Sequence, residues 1–214
     1  MTFYILKQLI QERRSIRKYT EKAVLKKDII DIIDCARYAP SDTNSQTWEF
    51  IAICDRKKIE NLANITRKEL MIIADSAEKK GLTSEANMLV RSFSHFATAF
   101  INAPVLIISL SIPYTSKFKE KMFDPIGLVT DEDWEKEEIK SNAMACQNIL
   151  LAAHSKGLAT CPFTGPILLA NNQIREYLNI DSSKQLNMII SLGYSAESPK
   201  VPTRKEIDEI LTFI

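Results

Sequence analysis

Arg13, Arg14, Arg17 and Lys18 fall within the seven residues from Arg13 to Tyr19, separated only by Ser15 and Ile16. So much like charge repels itself, and an anion would offset it. Guanidinium groups stay protonated and present planar forks that suit a phosphate or an electron-rich oxygen and nitrogen edge. The same residues also suit a solvated helix end, where cations complement the dipole. The cluster alone leaves both readings open. Other residues able to do chemistry are sparse. Cys35, Cys54, Cys146 and Cys161 form no close pair, and with only His95 and His154 beside them they make no zinc set. Reduced thiols in a cytosol fit this pattern. The glycines, at 81, 127, 157, 165 and 193, are too dispersed to write G-x-G-x-x-G or G-x-x-x-x-G-K-[ST] anywhere. A bound phosphate would therefore be held by side chains.

Composition narrows the partners. A chain of 214 residues with 45% hydrophobic content is expected to form one globular domain, 1–214. Its 28 basic and 27 acidic residues leave a net charge of +1, so there is no global field to draw nucleic acid or an anionic membrane. Met1 to Ile10 lacks the cationic start, long apolar stretch and small-residue cleavage site of a signal peptide. No uninterrupted apolar run approaches the ~20 residues that span a bilayer. The expectation is a cytoplasmic protein without membrane or nucleic-acid partners.

The elements that must position the cluster follow from periodicity. Thr2 is a plausible N-cap for a helix with Phe3, Leu6, Leu9 and Ile10 on one face, which places the arginines at a helix exit. A second helix spans Asp28 to Tyr38 and stops before Pro40, which disfavours helix at Ala39. The polar stretch from Pro40 to Thr47 leads into a strand from Trp48 to Cys54; its short hydroxyl and amide side chains suit bonding to their own backbone. A charged helix covers Asp55 to about Lys80, burying Ile59, Leu62, Ala63, Leu70, Ile73 and Ala74. Ser84 to Asn102 reads as one further helix with a stripe of Met88, Phe93, Phe96 and Phe100. The unbroken apolar run from Pro104 to Ser111 is a strand buried on both faces. Pro113 to Trp134 is an excursion, either a lid or a surface connection.

The longest helix runs from about Glu135 to Lys156 and ends at Gly157. Its second half, Ala143 to Ala153, is apolar nearly all round, as in a helix buried centrally or at a subunit interface. Extended segments at Leu158 to Pro162 and Leu186 to Leu192 flank a helix from Asn172 to Leu178. A proline-rich tail precedes a last short helix, Glu206 to Leu211.

Four motifs occur in order: R-R-S-I-R-K-Y, A-P-S-D-T-N-S-Q-T-W-E-F, K-G-L-A-T-C-P-F-T-G-P and L-G-Y-S-A-E-S-P-K-V-P-T-R-K. In this order and spacing the whole chain resembles the nitroreductase family of FMN-dependent flavoproteins. The resemblance implies an α+β fold with a central mixed, mainly antiparallel sheet wrapped by helices. It also implies an intertwined homodimer, with the long central helix at the interface and two equivalent flavin sites.

Residue by residue, the resemblance places Arg13 and Arg204 on the FMN phosphate, Arg14 and Ser15 on the ribityl and pyrimidine side, and Arg17 near the O2 and N1 edge. Pro40, Ser41, Asp42 and Asn44 would reach the other subunit's flavin, with Gln46 ordering their loop. Cys161, Pro162, Phe163, Thr164 and Gly165 would line the ring, with a backbone N–H of Thr164 or Gly165 donating to N5. The chain departs from the family pattern in two places. Apolar residues near Phe96 and Ala99 stand where an asparagine and a lysine contact the flavin elsewhere, leaving Asn102 or Gln147 as replacements. Pro202 stands where some members carry a second phosphate-binding lysine, leaving Lys200 or Lys205.

The implied activity is hydride transfer from NADH or NADPH through flavin N5 to a nitroaromatic, quinone or related small-molecule acceptor by a ping-pong sequence. The hydride step itself requires no catalytic side chain. The resemblance also admits reductive dehalogenation, flavin-modifying chemistry, or a slow flavin-binding regulator.

Overall fold

The computed structural model describes residues 2–127 and 130–214, with the backbone alone for 131–135. In chain order the elements are α1 (Phe3–Glu12), α2 (Lys26–Ala36), β1 (Trp48–Ile53), α3 (Arg56–Lys79), α4 (Thr83–Met88), α5 (Ser94–Ala97), β2 (Val105–Ser111), α6 (Asp124–Ile126), α7 (Asp131–Ser155), β3 (Ala159–Phe163), α8 (Gly165–Leu178) and β4 (Gln185–Gly193). The strands form one sheet in the order β1-β2-β4-β3, and all its ladders are antiparallel. The parallel component is a single bridge between Ser15 and Thr160, on the outer edge of β3.

Every residue of β2 is buried, which is why Val105 to Ile108 run apolar without alternation and why Ser109 and Ser111 lie among buried groups. Leu106, Ile108 and Leu110 face a core built with Ile59 and Leu62 of α3 and Ala170 and Ile174 of α8. Val105 and Ile107 face the opposite core, with Ile29 and Ile32 of α2 and Cys146, Ile149 and Ala153 of α7. The sheet is thus filled on both sides, giving the expected α+β arrangement of helices around a sheet.

The α7–β2 contact also carries buried polar groups. Ser109 Oγ donates to Asn142 Oδ1 at 2.6 Å, and Asn142 Nδ2 donates to the Leu110 carbonyl at 2.9 Å. The Cys146 thiol donates to Ser109 Oγ at 3.1 Å. These directional bonds fix the helix against the strand where apolar contacts would allow sliding. Gly157, at φ +73°, ends α7 in a left-handed turn in which Leu158 N–H reaches the Ala153 carbonyl at 2.9 Å.

Several expectations need correction. Thr2 occupies the N-cap position of α1, but its side chain makes no cap bond. Ile73 is 40% exposed because it turns to the outer side of α3. The single helix expected over Ser84 to Asn102 is broken into α4, a π-helical turn at Leu89–Phe93, α5 and a 3₁₀ turn at Ala99–Asn102. The wider π turn shifts the helical phase. The aromatic stripe therefore splits, with Phe100 in the core while Met88 and Phe96 face outward. Helix α8 starts at Gly165 rather than Asn172, since Pro166 in its first turn has no N–H to leave unsatisfied. The last helix is reduced to a 3₁₀ turn at Ile207–Glu209. Within the expected excursion lie a π turn at Lys119–Phe123 and α6, and α7 begins at Asp131. Residues 128 and 129 of that stretch, and the side chain of Trp134, lie outside the described residues.

Asn142→Ala should lower stability by about 1–3 kcal/mol, because the Ser109 hydroxyl and Leu110 carbonyl lose their partner in the interior. Urea unfolding measures this, and an unchanged midpoint would contradict the polar lock.

Candidate functional site

The arginine cluster is positioned by the sheet edge. After α1 the chain runs extended along β3. Ile16 is buried, and its N–H donates to the Thr160 carbonyl at 2.9 Å. Tyr19 pins the other end, its hydroxyl donating to the Ile16 carbonyl at 2.5 Å and lying 2.6 Å from Ser191 Oγ. Burial, opposed by the Ser191 hydrogen bond, pushes the Tyr19 phenol well above its ordinary pKa, so it remains a neutral donor. Gly193 makes room for this ring. A Cβ there would lie 2.8 Å from Tyr19 Cδ1 and 2.7 Å from Pro104 Cδ. The segment after β4 then zips onto the cluster, with Thr20 N–H bonded to the Tyr194 carbonyl and Ala196 N–H to the Lys18 carbonyl, each at 2.9 Å.

The cations have unequal surroundings. Arg14 folds back on the end of α1, its Nη1 donating to the carbonyls of Gln11 at 2.5 Å and Arg13 at 2.8 Å. This one residue follows the helix-end reading of the cluster. Arg13 Nη1 and Arg17 Nε, by contrast, are buried without a hydrogen-bond partner. Burial lowers the pKa of the Arg13 guanidinium; Cys161 opposes this, and the like charges of Arg14 and Arg204 add to it. Arg204, far away in sequence, therefore shares the electrostatic neighbourhood of Arg13. Cys161 shares the electrostatic neighbourhood of both Arg13 and Arg17. Burial pushes its thiol up, while Arg17, a Ser15 hydrogen bond and Arg13 pull it back.

Arg17 opens onto a cleft of about 160 Å³ lined by Phe93, Phe96 and Ala97 on one side and Pro162, Phe163, Thr164 and Gly165 on the other. Its guanidinium lies over the Phe96 ring, 5.7 Å from the centroid. Thr164 and Gly165 stand at the start of α8, where backbone N–H groups have no intrahelical acceptor. Gly165 leaves little space, since a Cβ would sit 3.3 Å from both Ala97 Cβ and Phe93 Cζ. A second cavity, of about 290 Å³, adjoins Arg13 and Arg14 and is bordered by His154, Ser195, Glu197 and Ser198.

Ser15, Arg17, Cys161, Pro162, Phe163, Thr164 and Gly165 thus converge along β3, with Arg13, Arg14 and Arg204 at one end. Pro40, Ser41, Asp42 and Asn44 do not join them. Asp42 N–H donates to Ser141 Oγ at 3.3 Å, whereas the cavity beside Arg13 meets α7 at His154. Those two points on α7 lie about 20 Å apart along the axis.

The loop itself is held under strain, with φ of +48° at Thr43, +57° at Asn44 and +50° at Gln46. Gln46 orders it through N–H to Ser41 Oγ at 3.0 Å, and Thr43 Oγ1 meets the Tyr114 hydroxyl at 2.7 Å. Thr47 Oγ1, at its base, is buried without a partner.

Neither proposed replacement for the family's polar contacts reaches the cleft. Asn102 lines a different cavity, beside Lys18, Tyr19 and Arg56, and Gln147 is exposed on α7. Lys200 and Lys205 are exposed in the tail. Sequence reading missed Phe93, Tyr19 and Glu197. Phe93 reads in sequence only as part of an aromatic stripe, and nothing in the local pattern links Glu197 to residues 180 positions earlier.

Unpartnered guanidinium nitrogens, a cleft with aromatic walls and a helix start thus lie along one edge of the sheet. A sequence profile of the Nitroreductase family matches residues 10–194, and the chain belongs to that family. Among solved structures it is similar to a BluB-like flavoprotein from Clostridium difficile 630, 26% identical, with a TM-score of 0.86 and 98% of each chain covered. It is also similar to an FMN-dependent nitroreductase from Clostridium difficile R20291, 27% identical, with a TM-score of 0.63 over 97% of this chain and 98% of that one. The iodotyrosine deiodinase of Thermotoga neapolitana is 22% identical over 98% of this chain and 99% of its own length.

Gly193→Ala should displace the Tyr19 ring and cost about 1–3 kcal/mol through overpacking. Thermal unfolding reads the effect, and wild-type stability would contradict the close approach.

Proposed function

We propose that this chain is an FMN-dependent oxidoreductase that uses NADH or NADPH to reduce a nitroaromatic, quinone or related acceptor in two half-reactions at one open face. The observation that carries the reading is the pair of buried, unpartnered nitrogens, Arg13 Nη1 and Arg17 Nε, on one extended segment that borders two adjoining cavities of a nitroreductase-family fold. FMN, when bound, supplies a two-electron carrier between the nicotinamide and the acceptor.

The chain's own residues supply binding and electrostatics. Arg13 and Arg204 would take the doubly charged phosphate, which would offset the burial that chiefly lowers the Arg13 pKa and the like charges of Arg14 and Arg204 that add to it. Arg14, whose Nη1 is taken up by the carbonyls of α1, would add charge and the donors of its Nε and Nη2. Ser15 would meet the ribityl side. Arg17, fixed above Phe96, would stabilise negative charge gathering at the pyrimidine edge on reduction. Free N–H groups at Thr164 and Gly165 would orient the ring at its reactive nitrogen. Phe93 and Phe96 supply an apolar wall where the family pattern has polar contacts, which favours flat, weakly polar acceptors.

The site is completed by a second copy of the chain. A distance of about 20 Å along α7 between Ser141 and His154 separates Pro40, Ser41, Asp42 and Asn44 from the cavity beside Arg13 in their own protomer and suits service to the partner's site. Helix α1 has no buried residue, with Phe3 70% and Tyr4 79% exposed, and residues 201–214 are exposed throughout, including Ile210 and Phe213. Apolar surface on this scale needs a cover, and dimerisation would provide it. Reductive dehalogenation is the second reading, supported by the deiodinase similarity and by an aromatic wall that would also receive a halogenated ring. Four free cysteines and the lack, among the described residues, of a helix long and apolar enough to cross a membrane are in keeping with a cytosolic setting.

The test is an absorption spectrum of the purified protein before and after anaerobic addition of NADH or NADPH, with sedimentation on the same sample. Flavin bands that bleach, on a dimer, are expected. Bands that persist with both nucleotides would overturn the hydride reading, and a flavin-loaded monomer would overturn the shared site.

A further inference from the structure

Glu197 is the one carboxylate bonded directly to the arginine segment among the described residues. It does not pair with a guanidinium. Its Oε1 accepts the N–H of Arg17 at 2.6 Å and of Lys18 at 3.0 Å. Consecutive amides converging on one oxygen form a small anion nest, here filled by the protein itself. The carboxylate is held in turn by its own turn, in which Ser195 Oγ donates to the Glu197 carbonyl at 2.5 Å and Glu197 N–H returns to Ser195 Oγ at 3.2 Å.

The charge reaches inward. Tyr19 and Cys161 are each pushed up chiefly by burial, and the negative charge of Glu197 adds to both. Cys161 also feels Arg17 and Arg13, so Glu197 acts on the same enclosed volume as the cluster. The charged and titratable groups around it are Arg13, Arg14, Arg17 and Lys18 on the extended segment, Glu12 at the end of α1, and His154 on α7.

We propose that Glu197 is a positioning and tuning residue for the cationic cleft. Its bonds to the Arg17 and Lys18 amides set the backbone from which the Arg17 side chain projects, and its charge offsets part of the cluster's field. This inference rests on the FMN reading above. Geometry and charge separate cleanly, because both amides bond to the same oxygen. Glutamine keeps an acceptor at that point and removes the charge, whereas alanine removes both.

With apo-protein reconstituted by FMN, Glu197→Gln should bind oxidised FMN within about threefold of wild type, one acceptor oxygen being retained. The less opposed arginines should favour the more negative reduced form. The ratio of the dissociation constants of oxidised and reduced FMN should therefore rise about tenfold, a positive potential shift of about 30 mV. Glu197→Ala should weaken binding of oxidised FMN at least about tenfold, which glutamine restores. A Gln variant whose ratio stays within about twofold of wild type would overturn the tuning role. An Ala variant that folds and binds FMN like wild type would overturn the positioning role, and it remains decisive for that role should the Gln variant fail to fold. No binding by the wild-type chain would overturn the functional reading itself, and this inference with it; normal wild-type binding with unaltered variants sinks this inference alone.

Discussion

The constraint on which the site depends is a cluster of like positive charges held half-buried at the sheet edge, with two guanidinium nitrogens that no group in the protein bonds. Arg13 and Arg17 each bury a nitrogen that nothing in the protein bonds, and a buried donor left unpaired costs free energy. A chain holds such groups in place only if the surrounding structure over-determines them. Here Ile16 in the core, the Tyr19 hydroxyl on the Ile16 carbonyl and Glu197 on the adjacent amides fix three consecutive parts of the segment. An anionic cofactor would supply the missing partners, so the energy the fold gives up in preorganising the cluster returns on binding.

That segment needs a rigid edge, and the sheet provides it. β4 lies between β2 and β3, and β2 is buried throughout, so motion at the edge would have to disturb both cores. The Ser109–Asn142–Cys146 bonds fix α7 across the same strand. Through Ser141, α7 also holds the strained loop around Thr43. One helix thus holds the Thr43 loop at Ser141 and borders the cavity beside Arg13 at His154, a set distance apart.

Much of this was legible in the sequence where a single local property decided the outcome. The apolar run at the start of β2, the Gly157 stop and the strand that begins at Trp48 all follow from nearest neighbours in sequence. The family's motif order indicated which arginines to watch. Features decided by tertiary contact were not legible. The π turn at Leu89–Phe93 breaks a helix whose propensity looked continuous and turns Phe93 and Phe96 into a cleft wall. Arg14, chemically the same as Arg13, is diverted by the carbonyls of α1. Glu197 looked like one more tail charge because its partners are amides, which no side-chain pattern encodes.

The central claim, that the clustered arginines await a phosphate-bearing flavin, is tested most directly by titrating the apo-protein with FMN and with riboflavin, which has the same ring and no phosphate, following flavin fluorescence. The account predicts that FMN binds about a hundredfold more tightly, as expected for charge-assisted contacts to the phosphate, and that added salt narrows the gap. Equal affinities for the two flavins would contradict it.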